Sequence, residues 1–119
     1  MKNFFALLCS VIVLTGHTAL AGSGDQNRLT ARATALTRQM AQKTPLNEGQ
    51  YVKVRQLNMR MLAERQALQT RLANDPATLD QQLAELQAHY EWDLAAILWP
   101  RQMAAYNQSK AEFMALSSR

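Results

Sequence analysis

Apolar residues recur every three or four positions along most of the chain, which is the spacing of one face of an α-helix. Four such stripes occur, and prolines at 45, 76 and 100 separate them. The stripes consist of Leu29, Ala33, Leu36 and Met40; Val54, Leu57, Met61, Leu68 and Leu72; Leu79, Leu83, Leu86, Tyr90, Leu94 and Ile97; and Met103, Tyr106, Phe113 and Leu116. None shows the alternation of a strand, so the pattern predicts an all-α fold, a small bundle or curved hairpin of about four helices.

The segment Asn74-Asp75-Pro76 is typical of a turn that ends one helix and starts the next. Asp75 or Thr78 is available to cap the new helix, and Pro76 suits its first position, where a missing N–H costs nothing. Because this connection is short, helices two and three are predicted to form an antiparallel hairpin.

The N-terminus has the pattern of a secretory signal peptide. Lys2 precedes an uncharged apolar run from Phe4 to Leu14, and the triplet Ala19-Leu20-Ala21 provides a cleavage signature. We expect cleavage after Ala21 and export to the periplasm; the alternative is an uncleaved anchor. The chain then divides into a signal peptide, 1–21, and a single helical domain, 22–119, which begins with a flexible leader, Gly22-Ser23-Gly24.

The exported part is poor in residues that carry chemistry. Cys9 lies within the signal peptide, so the domain has no thiol, and its single histidine is His89. Its carboxylates are dispersed, and it has no glycine-rich phosphate loop, nucleophile elbow or metal-spaced cluster. We therefore expect no catalytic residue, no cofactor and no metal site, and interpret His89 as helix surface. The chain is predicted not to be an enzyme.

The charge of the chain indicates less about its partners than its composition does about catalysis. Removing Lys2 with the signal peptide lowers the formal net charge from +4 to +3, and the basic residues are scattered. Export makes nucleic acid an improbable partner. Four arginines run along helix two and could border a binding surface, although solvated helix surface is the simpler interpretation. They are Arg55, Arg60, Arg65 and Arg71.

A short motif occurs twice, at 46–50 and at 98–102. The two copies read Leu46-Asn47-Glu48-Gly49-Gln50 and Leu98-Trp99-Pro100-Arg101-Gln102. The spacing predicts a capping box, in which the second residue caps a helix and the glutamine reaches back to the cap's N–H. The preceding leucine would pack down as a hydrophobic staple. Asn47 is a good cap, whereas Trp99 has no side-chain acceptor.

Two such boxes in a small exported helical chain resemble the Leu-Thr-x-x-Gln boxes of the Spy/CpxP-like periplasmic proteins. Leu46, Gln50, Leu98, Pro100 and Gln102 match the pattern, with Asn47 and Trp99 in place of the threonines and Arg101 in place of a glutamate. The resemblance implies a thin, curved homodimer that acts without ATP, either holding unfolded proteins or restraining an envelope sensor. Zinc binding by some members uses histidine and cysteine, and the exported part keeps only His89.

Several apolar residues lie outside the four stripes. Val52 and Met59 are two turns apart on helix two, and Trp92, Ala96 and Trp99 follow helical spacing near the end of helix three. A helix with two apolar faces has two surfaces to bury. The second face could bind clients or form a dimer seam, or helix one or four could simply cover it.

The sequence thus predicts a binding protein. The main hypothesis is an exported, ATP-independent chaperone-like or envelope-stress protein that binds unfolded proteins through an apolar helical surface, as a homodimer. The alternative is a regulatory protein that docks on an envelope sensor or another single partner, without general client activity. Binding to a membrane surface is a weaker third possibility.

Overall fold

Four α-helices make up most of the chain that the computed structural model describes, which is residues 19–118, with side chains from residue 24 onward. They are α1 (Ala19–Lys43), α2 (Glu48–Arg71), α3 (Pro76–Ile97) and α4 (Pro100–Ser117). This described part contains no strand. The predicted all-α fold is confirmed.

The joints lie where the prolines predict them. Pro76 and Pro100 are the first residues of α3 and α4, where the absent N–H has no helical acceptor to lose. Asp75 caps α3, because its carboxylate accepts a hydrogen bond from the Thr78 N–H at 3.2 Å. Hydrogen bonding from Thr78 also holds the pKa of the Asp75 carboxyl below its usual value.

Helix α2 is the central element of the packing. It contacts α1 along one side and α3 along the other, and α4 packs mainly on α1. The short connection between α2 and α3 makes them the antiparallel hairpin predicted from the sequence. The core between the helices consists of Ala33, Leu36 and Met40 of α1; Val54, Leu57, Met61 and Leu62 of α2; Tyr90, Leu94 and Leu98 in and after α3; and Tyr106 and Phe113 of α4.

The third stripe is buried less deeply than its regular spacing suggests. Only Tyr90 and Leu94 of α3 are fully buried, and the other apolar residues of its stripe are half-buried. The reason is that α3 has extensive contact with α2 alone and little with α4. Its outer face consequently lies open to solvent.

The start of α1 corrects one prediction. The expected flexible leader, Gly22-Ser23-Gly24, is helical in the backbone, because α1 begins at Ala19. A glycine in a helix costs only about 1 kcal/mol relative to alanine, and the alanines and leucine just before it favour helix. Most of the predicted signal peptide, 1–21, lies outside the described residues, as does Cys9. Among the described helices, none combines the length and apolar character needed to cross a membrane.

Candidate functional site

The two Leu-x-x-x-Gln boxes lie against each other, joined by their glutamine side chains. The Gln50 Nε2 donates a hydrogen bond to the Gln102 Oε1 at 2.7 Å, and the Gln102 Nε2 donates to the Gln50 Oε1 at 2.9 Å. Both side chains are buried. The boxes therefore meet in a reciprocal amide pair at the start of α2 and α4.

Each glutamine also closes its own helix start, as predicted. The Gln50 Oε1 accepts from the Asn47 N–H at 3.1 Å, and the Gln102 Oε1 accepts from the Trp99 N–H at 2.8 Å. These backbone N–H groups precede the helices and would otherwise lack a partner. The oxygen of each amide thus accepts two hydrogen bonds, one from its own cap and one from the other box.

The other amide hydrogen of each glutamine bonds a backbone carbonyl in the opposite joint. The Gln50 Nε2 donates to the Ile97 carbonyl at 3.2 Å, and the Gln102 Nε2 donates to the Pro45 carbonyl at 2.8 Å. A primary amide has two donor hydrogens and two acceptor positions, and all four are used in both glutamines. The pair therefore ties the α1–α2 joint to the α3–α4 joint without an unsatisfied polar atom.

The two caps differ as their sequences predict. The Asn47 Oδ1 accepts from the Gln50 N–H at 2.8 Å, which completes a full capping box. At α4 only the Gln102 half is present, since the indole of Trp99 offers no acceptor. Leu46 and Leu98 both pack into the core beside their caps, as hydrophobic staples do.

We expect Trp99→Thr to raise the free energy of unfolding by about 1 kcal/mol, because threonine supplies the cap acceptor that tryptophan lacks. Asn47→Ala, which removes the equivalent acceptor at α2, should lower it by about the same amount. Urea unfolding followed by circular dichroism measures both. A Trp99→Thr variant less stable than the parent chain would show that the Trp99 side chain stabilises the joint more than a cap would.

A second buried polar cluster, not predicted from the sequence, joins α1, α2 and α3. The Tyr90 hydroxyl donates to the Asn58 Oδ1 at 2.5 Å, and the Asn58 Nδ2 donates to the Thr37 Oγ1 at 2.9 Å. The Met40 Sδ lies 3.5 Å from both the Asn58 Nδ2 and the Tyr90 hydroxyl. Asn58 lies beside Leu57 on the buried side of α2. This position was the one sequence signal that could have predicted a buried amide.

Burial raises the pKa of the two core tyrosines, Tyr90 and Tyr106. Desolvation raises the pKa of the Tyr90 phenol far above its ordinary value, with smaller contributions from Tyr106 and Glu91. Desolvation also raises the pKa of Tyr106, whose ring stacks on Phe113 at a centroid distance of 5.6 Å. The Tyr90 hydroxyl therefore remains a hydrogen-bond donor to Asn58 above the pH at which an exposed tyrosine ionises.

The structure divides the predicted client or dimer surface. Val52, Trp92, Ala96 and Trp99 are exposed. Met59 is half-buried against the core, and its Sδ lies 3.4 Å from the Thr30 Oγ1 of α1. At Met59, helix α1 covers the second apolar face of α2. This is the possibility that a helix of the same chain covers that face, in place of a client or a second copy.

The outer face of α3 is centred on Trp92, whose surface is 80% exposed. Helical spacing places Ala88, Ala95 and Ala96 around it, and all three are exposed. We call these four residues the Trp92 face. A shallow groove beside the indole is lined by Glu85, Ala88, His89 and Trp92.

Helix α3 is an acidic helix. Helix α3 carries four acidic side chains and neither lysine nor arginine. The acidic residues are Asp80, Glu85, Glu91 and Asp93. Glu91 forms an ion pair with Lys110 of α4. No described residue forms an ion pair with Glu85 or Asp93, so these two carboxylates give the Trp92 face an acidic border.

Trp99 lies on a different surface from Trp92. It lines a groove with Pro45, Arg101, Ala105 and residues of the joint, whereas the groove beside Trp92 contains none of these. The two tryptophans therefore mark two separate surfaces.

The arginines of α2 do not form one uniform edge. Arg60 and Arg71 are exposed, and Arg55 is half-buried. Burial lowers the pKa of Arg65, with a smaller effect from Arg32 of α1. The Arg65 Nε is buried and has no hydrogen-bond partner among the described residues.

His89 is exposed on α3, beside Glu85 and Trp92. Within the described part of the chain, no three histidine, cysteine, aspartate or glutamate side chains are grouped so that they could hold a metal ion.

Comparison of the chain with protein-family models, with curated proteins and with solved structures finds no match.

Proposed function

We propose that this protein is an exported, ATP-independent chaperone-like or envelope-stress protein that holds unfolded polypeptides on the Trp92 face. The observation that carries the proposal is an indole 80% exposed on a helix face that no described element covers. Tryptophan has a large apolar area and few rotatable bonds, so it binds apolar segments at small entropic cost. The alanines around it let a client chain approach closely.

Binding of this kind would be weak and reversible. The apolar area of the Trp92 face is small, and it is bordered by the charged groups of Glu85 and Asp93. Such a surface can retain an aggregating segment and release it without nucleotide. The resemblance of the paired boxes to Spy/CpxP-like proteins supports the same function and a periplasmic location.

The test is suppression of aggregation. Reduced insulin chains aggregate and scatter light, and the protein without residues 1–21 should slow this at a near-stoichiometric ratio. Trp92→Ala should raise the protein concentration needed for half-suppression about thirtyfold, since truncating a tryptophan anchor costs about 2 kcal/mol and each 1.4 kcal/mol is a factor of ten. Because Trp92 lies outside the core, the variant should keep its helical circular dichroism.

Two matched variants separate the indole from general surface effects. Trp92→Phe keeps an aromatic ring and should retain most of the suppression. Gln81→Ala changes an exposed residue on the same helix and should have no effect. Equal suppression by Trp92→Ala and the parent chain would contradict the proposal.

The alternative is regulatory docking on one envelope partner, and the separate groove at Trp99 favours it because a defined groove suits one ligand better than many. This alternative predicts no suppression of insulin aggregation at any ratio.

We also propose a homodimer, since a chain of this size has little core of its own. Sedimentation equilibrium tests this proposal directly. A monomer at all concentrations would contradict it.

A further inference from the structure

The groove at the α3–α4 joint combines an exposed indole and an exposed arginine, and neither side chain belongs to the core. It encloses about 420 Å³ and is lined by Thr44, Pro45, Trp99, Arg101, Gln102 and Ala105. Its position is where the α1–α2 joint meets the start of α4. Trp99 and Arg101, the two departures of the second box from the Leu-Thr-x-x-Gln pattern that it resembles, both lie on it.

One side of the groove is apolar. The Trp99 indole is 62% exposed, and Pro45 and Ala105 extend the apolar surface beside it. Trp99 contributes no cap to α4, so the helix gains no hydrogen bond from this side chain. An exposed flat aromatic ring of this kind is a common anchor for an apolar or aromatic ligand group.

The other side of the groove carries one cation. Arg101 is exposed and forms no ion pair with a described residue. Thr44 is only 1% exposed, and its Oγ1 has no hydrogen-bond partner among the described residues. This hydroxyl is enclosed by the protein, so it is not available to a ligand in the groove. Gln102 is not available to a ligand, because the amide pair uses all of its hydrogen bonds.

We propose that this groove binds a polypeptide segment in which an aspartate or glutamate lies next to an apolar or aromatic side chain. The ring or aliphatic group packs on Trp99 and Pro45, and the carboxylate accepts charge-assisted hydrogen bonds from the Arg101 guanidinium. Positive charge at Arg101 excludes segments that present lysine or arginine at the same place.

This site is separate from the Trp92 face, and the inference does not depend on the chaperone proposal. The chain has two tryptophans, so a Trp92→Phe variant leaves Trp99 as the only indole and makes its emission a reporter of the groove. The probe is a capped pentapeptide with the sequence Gly-Phe-Asp-Gly-Gly. Its controls carry asparagine or lysine in place of the aspartate.

The aspartate peptide should shift Trp99 emission to the blue in a saturable way. The asparagine peptide should bind about tenfold more weakly, and added salt should weaken only the aspartate peptide. Arg101→Gln should remove the difference between the two peptides, whereas Arg71→Gln, an exposed arginine on α2, should not. Thr44→Val should leave binding of the aspartate peptide unchanged, because the hydroxyl is enclosed by the protein.

Three results would overturn the proposal. The first is no saturable response to the aspartate peptide at millimolar concentration. The second is equal binding of the aspartate and asparagine peptides. The third is a Trp99 emission that shifts with protein concentration alone, which would show that a second copy of the chain occupies the groove.

Discussion

Replacing Gln50 by leucine should lower the free energy of unfolding by about 2–4 kcal/mol. The substitution removes four hydrogen bonds and leaves the buried amide of Gln102 with two positions empty. The Asn47 N–H also loses the acceptor that closes the capping box. Leucine is similar in volume to glutamine, so the loss comes from unmet polar groups and not from a cavity.

The control is Gln56→Leu, on the same helix but exposed, which should change stability by no more than about 0.5 kcal/mol. Gln102→Leu should resemble Gln50→Leu. The double variant should lose less than the sum of the two single losses, since each single change already breaks the shared pair. Strictly additive losses would mean that the two amides do not act together.

Replacing Asn58 by leucine should cost about 2–3 kcal/mol. Asn58 is fully buried, and it is the acceptor for the Tyr90 hydroxyl and a donor to the Thr37 Oγ1. The variant leaves the phenol with only the weak Met40 sulfur contact in a site that water does not reach. Thr37 is affected less, because its hydroxyl still donates to the Ala33 carbonyl at 2.7 Å.

A double-mutant cycle with Tyr90→Phe isolates the hydrogen bond between Tyr90 and Asn58. Tyr90→Phe should cost about 1–2 kcal/mol by itself, and Asn58→Leu with Tyr90→Phe should cost at least about 1 kcal/mol less than the sum of both. Urea unfolding at pH 7 gives all four values, because a tyrosine hydroxyl is protonated at this pH in both the folded and the unfolded chain. Additive costs would show that the Tyr90–Asn58 contact adds nothing to stability.

The helices were predictable because their signals are local. Amphipathic spacing and proline placement depend on a few neighbouring residues, and Pro76 and Pro100 start their helices as predicted. The same holds within each box, where the glutamine reaches its own cap three residues back. The leader at Gly22–Gly24 was mispredicted because a glycine weakens a helix without ending it as reliably as proline does.

The pairing of the boxes was not predictable from either box alone. Gln50 and Gln102 are 52 residues apart, and they meet only because the antiparallel hairpin brings the two joints together. The one available signal was the identical position of glutamine in both copies. The Asn58 cluster likewise needs three helices to be placed first, since its members lie on α1, α2 and α3.

The candidate surface was predicted in part. Periodicity identified Trp92 and Ala96 as outside the main stripe, and both are exposed. It also grouped Met59 with them, although α1 covers that side chain. The grouping failed because spacing on one helix does not show which neighbouring helix lies over it.

The central claim, that the Trp92 face holds unfolded chains, is tested most directly by the emission of Trp92 itself. A Trp99→Phe variant leaves Trp92 as the only tryptophan of the chain, and insulin chains contain none. As the insulin chains are reduced, Trp92 emission should shift to the blue and become less accessible to a soluble quencher, in step with suppressed scattering. Suppressed scattering with an unchanged, fully quenchable Trp92 would contradict the claim, because the client would then be held elsewhere.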